Sequence, residues 1–278
     1  MTTANANVPS VALRDGESIP QLGFGVFQVP PQDTADVTTR ALLAGYRHID
    51  TAKIYGNEAG VGQAIHAAGL QRDDVYITTK LWNSDQGHDS AKRALRASLD
   101  RLEVEHVDLY LIHWPTPARG KYVESWKALI ELQQEGLTRS IGVSNFQQPH
   151  LEQIIAETGV VPVVNQIELH PFLQQAGLRR AHAEHGIVTE AWSPLAQGAV
   201  LDDPAVVAIA EAHGVTAGQA VIRWHLQLGN VVFPKSVTQS RIEKNLDVFG
   251  FTLTDDEMAA IEALDRGGRI GPDPDRLN

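Results

Sequence analysis

The sequence contains a set of polar side chains that could together donate and accept a proton: Asp50, Tyr55, Lys80 and His113. A tyrosine has an unperturbed pKa of about 10, so it exchanges protons poorly near neutrality unless a nearby positive charge favours the phenolate. Lys80 is the candidate for that charge, and a buried ammonium in turn needs a counter-ion such as Asp50. His113 would then orient the oxygen of a carbonyl substrate. Together these residues predict acid–base chemistry at one site.

Polar residues recur at the points where predicted strands end. They are His48 and Asp50 after the second strand, Lys80 after the third, His113 after the fourth, Ser144 and Asn145 after the fifth, and Gln166 after the sixth. In a β/α barrel the carboxyl ends of all strands share one rim, where catalytic residues lie. A single His or Lys is more often a satisfied or solvent-facing side chain than a catalytic one. The joint pattern favours one pocket that collects them all.

The elements that must position these residues alternate along the chain. Short apolar runs are typical of buried parallel strands, and we predict strands at residues 47–49, 75–79, 107–112, 140–143, 163–167, 187–191 and 231–233. Helical periodicity predicts helices at residues 35–43, 90–102, 122–135, 174–185 and 217–228. Several helices close with a glycine suited to a left-handed cap, namely Gly45, Gly69, Gly136, Gly186 and Gly214. Strand and helix therefore follow each other throughout.

This alternation predicts an α/β fold in a single domain, residues 1–278. A further strand at residues 21–23 brings the strands to eight, and no Pro-rich or Gly/Ser-rich linker interrupts the series. A single (β/α)8 TIM barrel accounts for both count and length, since such barrels take roughly 250 residues. Residues 10–20, with Asp15-Gly16 between two β-prone pieces, predict a β-hairpin that caps the bottom of the barrel. A doubly wound open sheet is the alternative, because alternation alone does not exclude it.

Composition excludes several classes of protein and site. The chain has no cysteine, which excludes disulfides, thiolate metal sites and cysteine nucleophiles, and its formal net charge of -11 opposes nucleic-acid binding. No apolar run approaches the roughly 18 residues of a membrane span, and residues 1–10 lack the apolar core of a signal peptide. We therefore expect a cytoplasmic protein with neither nucleic acid nor membrane as partner. His182 and His185 lack a third ligand, so we interpret them as a solvated helix face and predict no metal.

Several segments resemble the signatures of the aldo-keto reductase family, in the family's order and over nearly the whole chain. They are GYRHIDTA at 45–52 with YGNEAGVG at 55–62, VDLYLIHWP at 107–115, IGVSNF at 141–146, and FPKS at 233–236 followed by Arg241, Ile242 and Asn245. The similarity is closest to the bacterial branch that includes 2,5-diketo-D-gluconate reductases. The resemblance implies a barrel enzyme that reduces aldehydes or ketones to alcohols with NADPH.

The resemblance also implies a role for each candidate residue. Tyr55 would be the general acid, tuned by Lys80 and Asp50, and His113 would position the carbonyl. The implied cofactor residues are Ser144, Asn145 and Gln166 on the nicotinamide carboxamide, Trp192 stacked on its ring, Ser193, Leu195, Gln197 and Gly198 along the pyrophosphate, and Lys235, Ser236, Val237, Thr238, Arg241 and Asn245 in the phosphate segment. The implied substrate residues are Phe24, Trp82, His113 and Trp114.

Some alternatives stay open at this point. The family usually carries an acidic residue, expected to contact adenine, where this chain has Lys244, so the strictness of NADPH over NADH is open. A rim lysine such as Lys80 can also form a Schiff base in an aldolase-type lyase, although Tyr55 and Lys235 then have no role. A third hypothesis is a redox sensor that binds the cofactor without significant turnover. A small carbonyl compound as partner and, by the family default, a monomer complete the expectations.

Overall fold

This computed structural model describes residues 8–278 of the chain. Its main element is a parallel eight-stranded sheet. A short hairpin precedes it, formed by β1 (Ser10–Ala12) and β2 (Ser18–Pro20). The strands of the sheet are β3 (Phe24–Gly25), β4 (His48–Asp50), β5 (Tyr76–Leu81), β6 (Val107–Ile112), β7 (Thr138–Ser144), β8 (Val164–Glu168), β9 (Val188–Trp192) and β10 (Val231–Val232). The helices are α1 (Pro31–Ala44), α2 (Glu58–Ala67), α3 (His88–Leu102), α4 (Tyr122–Gln134), α5 (Gln148–Thr158), α6 (Ala176–His185), α7 (Pro204–His213), α8 (Ala217–Gln227), α9 (Gln239–Leu246) and α10 (Asp255–Glu262).

The sheet closes into a barrel. Each strand from β3 to β10 pairs with the next one along the chain, and Leu22 forms a parallel bridge with Val232 across the seam. The Gly23 amide donates to the Val232 carbonyl at 2.9 Å, and the Val232 amide donates to the Gln21 carbonyl at 3.0 Å. The strand predicted at residues 21–23 thus forms the seam with β10, while β3 itself begins at Phe24 and pairs with β4. The (β/α)8 prediction is confirmed, and the open sheet is wrong.

The hairpin covers the end of the barrel where the strands begin. Its turn contains Gly16 at a φ of 96°, a backbone conformation that favours glycine. Leu13 and Ile19 from the hairpin pack in one buried cluster with residues of the barrel interior, among them Val163. Ser140 Oγ also donates to a carboxylate oxygen of Asp15 at 2.7 Å. These contacts confirm the predicted cap on the bottom of the barrel.

The helices form the outer layer because each presents an apolar face to the strands or to a neighbouring helix. In α3 the buried Ala91, Leu95, Leu99 and Leu102 recur every three or four residues, the spacing of one helix face. The close approach of α2 to the end of α3 requires Gly62, since a Cβ at that position would lie 2.2 Å from the Leu102 carbonyl oxygen. The predicted glycine caps adopt φ values from 65° to 119° at Gly45, Gly69, Gly136, Gly186 and Gly214.

Two further predictions concern membranes and metals. Within residues 8–278 no single helix is long and apolar enough to cross a membrane, although α7 and α8, which meet at an angle of 91°, pass that length and composition test as a pair. The same residues contain no group of three potential metal ligands. The interpretation of a solvated helix face is wrong for His182, which is fully buried and bonded to Asn165 and to Thr189. The face of α6 that carries His182 packs on strands β8 and β9 of the barrel. The helical periodicity of the sequence did not indicate which face of α6 is buried.

Candidate active site

A cavity of about 1100 Å³ opens at the rim where the barrel strands end. This volume lies just above the range typical of small-molecule and cofactor sites, roughly 300–1,000 Å³. The structure brings most of the predicted site residues to its wall: Asp50, Tyr55, Trp82, His113, Trp114, Ser144, Asn145, Gln166, Trp192, Ser193, Leu195, Gln197, Gly198, Lys235, Ser236, Arg241 and Asn245. Lys80 lies beneath the wall and is fully buried. Residues from most strand ends therefore share one pocket.

The ion pair of Lys80 with Asp50 lies inside the barrel between β5 and β4. Lys80 Nζ contacts both carboxylate oxygens of Asp50 at 2.8 Å and donates to the Thr51 carbonyl at 2.9 Å. Burial lowers the pKa of Lys80, but the charge and hydrogen bonds of Asp50, with smaller contributions from Tyr55 and Glu190, raise it above the ordinary value. Lys80 is therefore a cation fixed in place, with its ammonium directed at oxygen acceptors.

Tyr55 is held beside this pair by the turn that follows β4. It ends a short 3-10 helix, Lys53–Tyr55, which is followed by Gly56 at a φ of 69°. Asn57 fastens the turn, because it accepts from Thr51 Oγ1 at 2.9 Å and donates to the Val26 carbonyl at 3.0 Å. The Lys80 ammonium lies 5.2 Å from the centre of the Tyr55 ring.

The electrostatics of Tyr55 differ from the sequence expectation in their net direction. Burial raises the pKa of Tyr55, the charge of Lys80 lowers it, and Asp50 raises it, so that the pKa stays above its ordinary value. The Lys80 effect has the expected sign, but removing the phenol from water outweighs it. Tyr55 therefore holds its proton at neutral pH, as a proton donor must.

His113 forms the wall next to Tyr55. The two rings lie 5.8 Å apart at an interplanar angle of 79°, and Trp82 packs edge-on against the imidazole at 5.2 Å. Burial and the charge of Lys80 hold the pKa of His113 well below its ordinary value, so the imidazole is neutral. Its Nδ1 has no hydrogen-bond partner among the described residues. A neutral imidazole next to a phenol can hold a carbonyl oxygen without competing for the proton that Tyr55 donates.

The apolar part of the cavity differs from the sequence prediction at one residue. Phe24 does not line the cavity; it is buried in the layer between barrel and helices, where its ring meets Tyr46 at 5.4 Å. Side chains alternate along β3, and the Gly25 position faces the cavity instead. Phe27, three residues later, provides the aromatic wall and lies 5.1 Å from the Tyr55 ring. Trp82 and Trp114, the other two aromatic residues of the predicted substrate set, do line the cavity.

The middle of the cavity is a network of polar side chains. Ser144 Oγ donates to the Gln166 carbonyl at 2.8 Å, Asn145 Nδ2 donates to the His113 carbonyl at 3.0 Å, and Trp192 Nε1 donates to Asn145 Oδ1 at 2.8 Å. Gln166 Nε2 donates to Asp50 Oδ1 at 2.8 Å. Asn145 also adopts a φ of 62°, in the left-handed region, which asparagine tolerates better than most other non-glycine residues. The network fixes the Trp192 indole at the cavity wall.

The far end of the cavity is cationic on a chain that is otherwise strongly acidic. Lys235, Ser236 and Arg241 line it at the N-terminal end of α9, and Lys244 lines it from the last turn of that helix. Val237 and Thr238 lie outside the lining, and the Val237 carbonyl accepts from Arg40 at 3.3 Å. Cations beside a helix N-terminus suit phosphate groups. With the Trp192 indole in its middle and this cationic cluster at one end, the cavity fits an elongated phosphorylated dinucleotide.

Sequence reasoning missed several residues that line the cavity: Gly25, Phe27, Gln28, Ile54, Pro194, Leu201, Thr216, Gly218, Ser240, Ile270, Gly271, Pro272 and Leu277. The C-terminal segment among them is held by Glu168, whose carboxylate accepts from the amides of Ile270 at 2.6 Å and Gly271 at 2.9 Å. No local motif marks that segment, because its place depends on a contact across roughly a hundred residues of chain.

Comparisons with known proteins agree with this geometry. The model of the Aldo/keto reductase family matches residues 21–266. The chain is 57% identical over 270 residues to an aldo-keto reductase of Mycobacterium sp. (strain KMS), which covers 97% of this chain and 98% of the relative. It is 52% identical over 274 residues to methylglyoxal reductase DkgA of Escherichia coli (strain K12), covering 98% and 99% of the two chains. A solved structure of a Gox0644 mutant in complex with NADPH matches with a TM-score of 0.94 and 52% identity, over 97% of this chain and 98% of that one. The chain therefore belongs to the aldo/keto reductase family.

Proposed function

We propose that the protein reduces small aldehydes and ketones to alcohols with NADPH, and that Tyr55 is the general acid. The single observation that carries the proposal is the placement of Tyr55 and neutral His113 side by side on the cavity wall, with the Lys80–Asp50 pair directly behind them. When bound, NADPH supplies the hydride. The residues of the chain supply the proton and the orientation of the carbonyl group.

Each of the four residues has a distinct task in this proposal. The neutral His113 imidazole holds the carbonyl oxygen, and Tyr55 Oη gives its proton to that oxygen as the alcohol forms. The Lys80 ammonium stabilises the phenolate left on Tyr55, and Asp50 keeps that ammonium charged and in place. The cation is needed after proton transfer, when Tyr55 becomes an anion in a site that otherwise disfavours charge.

The cavity supports NADPH as the hydride donor. Ser144, Asn145 and Gln166 would hold the nicotinamide carboxamide beside the Trp192 indole, with Ser193, Leu195, Gln197 and Gly198 along the pyrophosphate. Phosphate contacts would come from Lys235, Ser236, Arg241 and Asn245, which line the cavity, and Lys244 adds a further positive charge at that end. The family and the relative crystallised with NADPH support the same choice of cofactor.

The substrate end of the cavity favours uncharged carbonyl compounds. Its wall consists largely of apolar and aromatic side chains: Phe27, Ile54, Trp82, Trp114, Ile270 and Leu277. The basic side chains of the lining, Lys235, Arg241 and Lys244, belong to the phosphate end. A carboxylate on the substrate would therefore lose water without gaining a counter-ion. The relative named methylglyoxal reductase supports small neutral dicarbonyls as the first compounds to test.

The two competing functions fit the cavity less well. A Schiff base needs a neutral, reachable amine, whereas Lys80 is fully buried, makes three hydrogen-bond contacts to oxygen and is held charged. A redox sensor without turnover has no use for a complete proton-donating set beside the cofactor site. A single domain, a monomer in solution and a cytoplasmic location stay predictions.

The test is NADPH oxidation with a panel of methylglyoxal, a simple aromatic aldehyde and a keto acid, for the wild type and Tyr55→Phe. We expect the neutral compounds to be preferred. Tyr55→Phe keeps the shape of the ring but removes the proton, so turnover should fall by about 10² to 10⁴-fold. NADPH affinity, measured by protein fluorescence, should be unchanged because the hydroxyl is not needed to hold the cofactor. Near-normal turnover in Tyr55→Phe would end the proposed mechanism.

A further inference from the structure

A second buried carboxyl group lies in the barrel interior, directly below the proposed nicotinamide site. Glu190 on β9 is fully buried and pairs in register with Gln166 on β8. Its Oε2 accepts from Gln166 Nε2 at 2.9 Å, and the same nitrogen donates to Asp50 Oδ1 at 2.8 Å. Both hydrogens of the Gln166 amide nitrogen are therefore used between two carboxyl groups.

This arrangement determines which end of the Gln166 amide faces the cavity. Reversing the amide would place its oxygen against the Asp50 carboxylate, where two acceptors repel each other. With Nε2 held inward by Asp50 and Glu190, Gln166 presents Oε1 to the cavity that it lines. An oxygen acceptor at this point is complementary to the N–H₂ group of a carboxamide.

We propose that Glu190 is a positioning residue for the nicotinamide, acting through Gln166, and that its charge state regulates the Lys80–Asp50 pair. The proposal rests on the function proposed above and adds a residue that carries no substrate or cofactor contact of its own. Glu190 does not belong to the proton-donating set, and it reaches that set only through Gln166 and through electrostatic interaction with Asp50 and Lys80.

The surroundings of Glu190 favour its neutral form at pH 7. Burial and the charge of Asp50 raise the pKa of Glu190 to about 8, against the opposing effects of Gln166 and Lys80. The titratable groups that face it are Asp50 from β4 and Lys80 with Tyr76 from β5, and its partner in β10, Val231, is apolar. While Glu190 is neutral, Asp50 is the one carboxylate counter-ion of the Lys80 ammonium. The Lys80 charge then lowers the pKa of Tyr55 without opposition from Glu190.

Ionisation of Glu190 would change that balance. A second carboxylate near Lys80 offsets the positive charge that stabilises the Tyr55 phenolate, so proton donation becomes less favourable. The wild type should therefore show a fall in kcat for carbonyl reduction as pH rises through about 8. The fall is reversible, because it reflects titration and not unfolding.

Two substitutions separate the positioning role from the charge. Glu190→Gln keeps the shape and an oxygen acceptor but cannot ionise, so NADPH affinity should be unchanged at pH 7 and the fall near pH 8 should disappear. Glu190→Leu removes the acceptor, and NADPH binding should weaken about 3- to 10-fold, the effect of one lost hydrogen bond. Thr189→Val is the matched control, because Thr189 is the neighbouring residue of β9 and bonds His182 on the helix side. It should leave both readouts unchanged.

Infrared spectroscopy of the cofactor-free protein gives a readout that needs no turnover. The wild type should lose a protonated carboxyl band as pH rises through about 8, and Glu190→Gln should lack that band. The inference is overturned if Glu190→Gln keeps the step in kcat near pH 8, or if Glu190→Leu binds NADPH as tightly as the wild type. A wild type that reduces no carbonyl compound would instead refute the proposed function, whatever the infrared result.

Discussion

Replacing Asp50 by asparagine removes the counter-ion of a fully buried ammonium. Lys80 would keep the Thr51 carbonyl as an acceptor but would lose both of its charged contacts at 2.8 Å. Breaking a buried ion pair by removing one partner costs about 3–5 kcal/mol, because the remaining charge is left in a medium of low polarity. We therefore expect the free energy of unfolding, measured by urea denaturation at pH 7, to fall by about that amount.

The pH dependence of this loss provides a sharper test than its size. In the wild type, burial lowers the pKa of Lys80 but Asp50 more than compensates, so the folded-state pKa lies above the unfolded one. The stabilisation from the pair is then fully present below the unfolded pKa, roughly 10.4, and is lost as pH rises through the folded value. In Asp50→Asn, burial is opposed by the smaller effects of Tyr55 and Glu190 alone, so we expect the pKa of Lys80 in the folded variant to fall below the unfolded value. Between the two pKa values, Lys80 is protonated in the unfolded chain but not in the folded variant. Unfolding therefore takes up a proton, and the stability of the variant rises with pH up to roughly 10.4.

A double variant isolates the contribution of the ammonium. Asp50→Asn combined with Lys80→Met removes the buried charge, so it should recover stability relative to Asp50→Asn alone. Its unfolding free energy should also lack the upward slope with pH. Parallel slopes for the single and the double variant between about pH 7 and 9.5 would refute the argument, because the slope is the signature of the uncompensated lysine.

Three other measurements test separate parts of the structure. Arg241→Ala should raise the NADPH dissociation constant about 10- to 100-fold, since a hydrogen bond to a charged group contributes roughly 1.5–3 kcal/mol, and the effect should shrink with salt. NADH binding should not change; equal weakening of both cofactors would make Arg241 a structural residue. Borohydride with a carbonyl substrate should leave no adduct on Lys80 by mass spectrometry, and an adduct formed during turnover would favour the lyase. Gly62→Ala should cost about 1–3 kcal/mol of stability because its Cβ would clash with the Leu102 carbonyl. Gly177→Ala, which meets no heavy atom within 4 Å, is the control, and an equal effect of the two would contradict the packing argument.

Residues that lie close together in sequence were predictable from the sequence. Asp50 and Tyr55 belong to one strand end and the turn after it, so residue types and motif place them at the rim without knowledge of the rest of the chain. The repeated strand and helix pattern predicted the barrel for a similar reason, since apolar runs and glycine caps are local signals. Lys80 and His113 followed once the strand ends were assumed to share one rim.

Other features depended on contacts that only the tertiary structure decides. The alternation along β3 turned Phe24 toward the helices and left Phe27 to form the cavity wall. The net pKa direction of Tyr55 depended on how far the barrel removes it from water, a quantity that no spacing in the sequence encodes. Glu190 lies in a short strand that no motif marks, and its contact with Gln166 of the neighbouring strand is visible only in the folded structure. Sequence thus determined the residue types and their local geometry, whereas burial and pairing across strands determined their charge states and orientation.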